Sequence, residues 1–200
     1  MQKNCASHRL AENAYALIES ILALEWEMFQ AVPTACRYSC QEDPENFRLH
    51  RRAQFAAWSV PTLESYLLDL RLARTAGRNL MAIKYARMDD RLPRENFSSR
   101  IRAIVDLVAQ GQKQFIAKFP GLMKGGRPLD DSGGDSDRVS FTTYLKGELE
   151  TYSETTLGLL LADIQGLQKM KSSLSEVIYS YLAKQWGYDS LDDLEKGLQK

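Results

Sequence analysis

From Leu10 to Val32 the chain repeats apolar residues at intervals of three and four without a break. Leu10, Ala14, Leu17, Ile18, Ile21, Leu22, Met28, Phe29 and Val32 fall on one stripe, and Glu25 falls on it with them. A period near 3.6 returns such positions to one face, so the segment is an amphipathic helix with a wide apolar side. That side has to be buried against other elements. No stretch of sustained β-alternation competes anywhere in the chain. The expected fold class is all-α: a single-domain helical bundle over residues 1–200, with five to seven helices.

The rest of the chain supplies the partners. Pro33 ends the first pattern, and Pro44 suits the first position of a second helix carrying Phe47, Arg51, Gln54, Phe55 and Trp58. After Pro61, a third run places Leu63, Tyr66, Leu67, Leu70, Ala73, Gly77, Leu80, Lys84 and Met88 in one register; Gly77 is a kink or a point of close backbone approach. A fourth helix extends from about Phe97 to Phe119, with Ser98 or Ser99 as N-cap. Ser140 caps a fifth, in which Phe141, Leu145, Glu148, Tyr152, Thr156, Leu159 and Leu160 share a side. Ser173 and Glu176 form a capping box for a sixth, closed by Gly187, and a short helix reaches about Leu198. Residues 120–138 hold five glycines and four aspartates. A structureless loop of that length in a compact domain is a lid, a binding loop or a disordered segment.

Charge narrows the partners. Lys plus Arg and Asp plus Glu each number 26, so the net charge is zero. A neutral chain has no overall field to draw nucleic acid or an anionic membrane. No segment approaches the roughly 20 apolar residues that span a bilayer. The N-terminal residues lack the apolar core of a signal peptide, and three cysteines, Cys5, Cys36 and Cys40, are no disulfide framework. The expected location is cytoplasmic, with no nucleic-acid and no membrane partner.

Seven motifs spread over most of the chain carry a resemblance: "WEMFQAV" at 26–32, "CRYSCQ" at 36–41, "QFAAWSVPTLESYLLDL" at 54–70, "GRNLMAIKYARM" at 77–88, "GRPLD" at 126–130, "SFTTYLKGELETYSETTL" at 140–157 and "YSYLAKQWGYDSLDDLE" at 179–195. The chain resembles a family of bacterial proteins known only as domain of unknown function 4125. The resemblance implies a mainly helical, single-domain bacterial protein and brings no activity, substrate or cofactor with it.

Chemistry has to be sought in polar residues placed on apolar stripes. Glu25 lies three residues after Leu22 and four before Phe29, whereas Glu27 falls on the polar face. A carboxylate on such a stripe is ion-paired, protonated or lining a cavity. Glu148 stands in the same position between Leu145 and Tyr152. Two inward acids on different helices are either a catalytic pair for acid–base work or two structural ion pairs. Lys84 continues the stripe of Leu80 and Met88. With Arg37, Arg78, Tyr144 and Tyr152 it makes a candidate set for holding a small anionic or amphipathic molecule. The alternative for Lys84 is a solvated head on a packed stem. Metal is not indicated: neither His8 nor His50 follows a glutamate by three, and Cys36 and Cys40 lack two further ligands. No cofactor is named by the sequence. Two readings stay open: a binding pocket between helices, with or without catalysis by paired carboxylates, and a helical protein–protein interaction module.

Overall fold

The computed structural model describes residues 2–32, 39–133 and 139–198. Eleven α-helical segments lie among them: α1 (Gln2–Gln30), α2 (Ser39–Glu42), α3 (Pro44–Phe55), α4 (Val60–Thr75), α5 (Leu80–Met88), α6 (Ser99–Lys118), α7 (Pro120–Met123), α8 (Phe141–Leu149), α9 (Glu154–Lys169), α10 (Leu174–Gln185) and α11 (Leu191–Leu198). The fold is all-α, and no strand occurs among the described residues. The helix count exceeds the expected five to seven. α2 and α7 are single turns of four residues, and two long periodic runs are each divided in two.

The first division is at Gly77. Its φ of +67° is easily reached only without a Cβ. Gly77 N–H donates to the Arg74 carbonyl at 3.1 Å and Arg78 N–H to the Ala73 carbonyl at 2.8 Å, which closes α4 in a Schellman turn. Asn79 then starts α5 by accepting from Ala82 N–H at 2.9 Å, while its amide donates to the Met28 carbonyl of α1. Gly77 is therefore a stop and not a kink. The second division follows Leu149. Ser153 caps α9 by accepting from Thr156 N–H, and Asp69 of α4 accepts from Ser153 N–H at 3.0 Å and from the Thr156 hydroxyl at 2.6 Å. A long-range carboxylate thus braces the start of α9, where the pattern reads as one helix. The other caps follow the sequence: Ser98, Ser140 and Ser173 accept from Arg100, Thr143 and Glu176 N–H.

α1 packs along α4 and is flanked by α3 and α5; α6 packs on α8, α9 and α10, and α3 on α10. Ile21, Leu22, Phe29, Phe55, Leu63, Leu70, Ile101, Ile104 and Leu157 are the centre of one continuous core. Burying each such side chain contributes about 1.5–3 kcal/mol. α5 and α8 approach closely at Gly147, where a Cβ would lie 2.9 Å from Met88 Cγ and 3.2 Å from the Lys84 carbonyl. That approach brings Lys84 to its partners on α8.

Within 120–138, residues 120–133 hold α7 and a 3-10 turn at Asp131–Gly133, while 134–138 lie outside the described residues. Glu195 of α11 accepts from Gly121 and Leu122 N–H at 2.7 Å each. Phe141 and Thr142 N–H donate to the Pro128 and Leu129 carbonyls. Among the described residues no helix is long and apolar enough to cross a membrane, and no group of His, Cys, Asp or Glu side chains could hold a metal ion.

Candidate functional site

Glu25, on the stripe of α1, is completely buried. Facing it from α3 is Arg51, which follows Phe47 by four residues and precedes Phe55 by four, so helical period alone turns it inward. The guanidinium grips Glu25 through both oxygens: Nε donates to Oε2 at 2.8 Å and Nη2 to Oε1. The Tyr66 hydroxyl of α4 donates to Glu25 Oε1 at 2.7 Å. A two-pronged Arg–carboxylate pair is among the stronger and most directional contacts a core can hold.

Arg51 also reaches the second acid. Its Nη1 donates to Gln54 Oε1 at 2.6 Å and to Glu148 Oε1 at 3.0 Å. Glu148 Oε1 accepts further from the Gln54 amide at 3.0 Å and from the Tyr152 hydroxyl at 2.7 Å. Its Oε2 accepts from Lys84 Nζ at 2.6 Å, and Lys84 donates as well to the Tyr144 hydroxyl at 2.6 Å. Lys84 is only 1% exposed, so the solvated alternative is overturned. The ring of α5 and α8 residues holds its whole side chain.

Two acids face two bases in this network. Burial alone would raise the Glu148 carboxyl, but the charges of Arg51 and Lys84 outweigh it and hold the group well below the usual carboxylate range. Burial would lower Arg51 and Lys84, yet Glu148 keeps both above their ordinary values, with Glu25 adding to the effect on Arg51. Burial, reinforced by the neighbouring carboxylates, raises the Tyr66 and Tyr152 hydroxyls. At neutral pH Glu148 is thus a carboxylate, Arg51 and Lys84 are cations, and Tyr66 and Tyr152 are neutral phenols.

Of the residues that the sequence singles out, Glu25, Glu148, Lys84, Tyr144 and Tyr152 come together here. Arg78 does not: its side chain is 55% exposed and lies 3.3 Å from Glu95 on an open groove. Its position just after the α4 stop turns it outward. Arg37 lies outside the described residues, as does Cys36. Sequence reasoning missed Arg51, Gln54 and Tyr66 as members of the site. The signal was present for Arg51, a charge on the Phe47–Phe55 stripe of exactly the kind that marks Glu25.

Against the Glu148 side of this network lies a pocket of about 370 Å³ enclosed by α3, α6, α8, α9 and α10 and by the chain around Gly126. Trp58, Ile104, Val108, Leu145, Leu160 and Leu182 supply apolar wall. Gln54, Tyr144, Glu148 and Tyr152 bring polar groups to it. Arg127 stands at the rim with its guanidinium 4.9 Å from the Tyr144 ring centre, held by a hydrogen bond to the Val139 carbonyl. Gln112 and Ser175 also line the pocket.

The family model described as protein of unknown function (DUF4125) matches residues 15–196. The chain belongs to the DUF4125 family. Every member of the network and the pocket wall lies inside the matched DUF4125 region. No curated protein and no solved structure matches this chain.

Proposed function

We propose that the chain binds a small amphipathic molecule in the pocket between α3, α6, α8, α9 and α10. The observation that carries this reading is the pocket itself: about 370 Å³, with apolar walls and one side formed by Glu148, Gln54, Tyr144 and Tyr152. That volume falls within the roughly 300–1,000 Å³ of small-molecule sites, and a mainly apolar lining with a few convergent polar groups is their usual composition. Glu25 and Glu148 enter as positioning residues. A carboxylate held ionised by two cations is a poor proton donor and a weak base, so the geometry favours binding over catalysis by paired acids. Lys84, Tyr144 and Tyr152 orient that side of the pocket, with Tyr144 and Arg127 at its rim.

The test is a titration with the neutral amphipathic dye N-phenyl-1-naphthylamine. Saturable one-to-one binding is expected, and it should be lost in Leu145→Trp and Val108→Trp, which fill the pocket, while circular dichroism stays unchanged. Undiminished dye binding in both folded variants would overturn the reading.

A second reading, the interaction module, is favoured by one observation. Leu72, Leu92 and Phe97 are exposed around the open groove that holds Arg78. Sedimentation of the purified chain before and after Phe97→Ser tests it: concentration-dependent association that the substitution abolishes would support that surface as an interface.

A further inference from the structure

The polar groups of the pocket fall into two sets that differ in what they have left to offer. Around Glu148 every oxygen and every Gln54 amide atom already has a protein partner. On the α6–α10 side the count is different. Ile104, Val108 and Gln112 follow one another at intervals of four along α6, so the pocket wall runs from an isoleucine to a buried amide about 12 Å further along the helix axis. Gln112 is 5% exposed. Its Oε1 accepts from the Ser175 hydroxyl at 2.5 Å, and its amide nitrogen has no hydrogen-bond partner among the described residues. Tyr179 lies one turn beyond Ser175 on the same side of α10, half-buried, its ring stacked on Phe115 at 5.0 Å. Its hydroxyl has no partner among the described residues either, and it too lines the pocket.

Neither the Gln112 amide nitrogen nor the Tyr179 hydroxyl is sealed away from the pocket space, so an acceptor on a ligand can reach both donors and replace water there. Gln112 and Tyr179 both present donors, and no Lys or Arg side chain lines the pocket on α6 or α10. Arg127, which also lines the pocket, stands beside Tyr144 on the α8 side, so the donors on the α6–α10 wall suit a neutral acceptor. A carboxylate placed there would keep its charge uncompensated in an apolar wall.

We infer that Gln112 and Tyr179 form a carbonyl-recognition station, so that the ligand is a largely apolar molecule carrying a neutral oxygen acceptor of the ketone, aldehyde, ester or amide kind. This rests on the pocket reading above and names the chemical class that the pocket takes. Ser175 is a positioning residue: its hydroxyl occupies Gln112 Oε1 and so leaves the amide nitrogen as the end that faces the ligand.

The experiment uses calorimetric titration of the intact chain with three probes of matched shape: acetophenone, its hydrocarbon isostere α-methylstyrene, and benzoate. The readout is the ratio of acetophenone to α-methylstyrene affinity. In Gln112→Leu that ratio is expected to fall about tenfold, and in Tyr179→Phe about fivefold, the worth of one hydrogen bond each. Both variants should keep the wild-type circular dichroism. Benzoate is expected to bind weakest. An unchanged ratio in both variants, or tightest binding of benzoate, overturns the inference and leaves the pocket reading standing. So does failure of all three probes where the dye still binds and is excluded by Val108→Trp. Failure of the dye test itself removes the pocket reading, and this inference with it.

Discussion

Two buried polar regions share one bundle and are built on opposite terms. Glu25, Arg51, Glu148 and Lys84 form a charged network in which acids and bases balance and every carboxylate oxygen is engaged. Gln112, Ser175 and Tyr179 form a neutral cluster with donors left over. The contrast teaches that a concentration of charge is not by itself a binding site. A satisfied ionic network ties together the helices that carry it, since its members come from α1, α3, α5 and α8. Capacity to bind remains where hydrogen-bonding groups reach a pocket without a protein partner.

Substitutions can break or sharpen that contrast. The largest effect is expected for Arg51→Met, which leaves two buried carboxylates with Lys84 alone; urea denaturation should register a loss of about 4–5 kcal/mol. A loss below about 1 kcal/mol would mean the network is not interlocked. Glu25→Leu is the milder cut, because Arg51 keeps Glu148 and Gln54, and about 3 kcal/mol is expected by the same measurement.

Acid should act on the same network. The Glu148 carboxyl is held below its ordinary value of 4.5, so its unfolded form takes up protons first. The stability it contributes is present above about pH 4.5 and is lost progressively as pH falls towards the folded-state value. Denaturation midpoints taken downward from pH 6 should therefore drop, and the slope should flatten in Glu148→Gln. An identical slope in that variant would place the acid sensitivity elsewhere.

The smallest effects separate the two regions most cleanly. Tyr152→Phe removes one hydrogen bond to Glu148 and should cost about 1–2 kcal/mol. Gln112→Leu removes an amide whose nitrogen is unpaired together with the acceptor of the Ser175 hydroxyl, and should cost about 1 kcal/mol. A large loss at Gln112 would erase the distinction between a closed and an open cluster.

Much of the site is written in the helical period. Glu25, Lys84 and Glu148 each sit on an apolar stripe, and the structure buries all three. The serine caps at 98, 140 and 173 are local hydrogen bonds between residues two or three apart, so they too are legible. Arg78 misled because a register that passes smoothly through Gly77 conceals a helix stop that turns the next residue outward. Gln112 and Ser175 gave no sign. A glutamine or serine on a helix is unremarkable until a neighbour is known, and their bond spans 63 positions.

The sequence alone determined the class of fold, the apolar faces, several of the helix caps and the placing of three charged groups on apolar stripes. Those follow from interactions within one or two turns, which the order of residues specifies directly. Tertiary structure decided that Arg51 answers both acids, one of them 97 positions away, that Asp69 anchors the start of α9, and that the pocket keeps its free donors on the α6–α10 side. A stripe states that a side chain must go inward. Only the packing of one stripe on another states what it meets there.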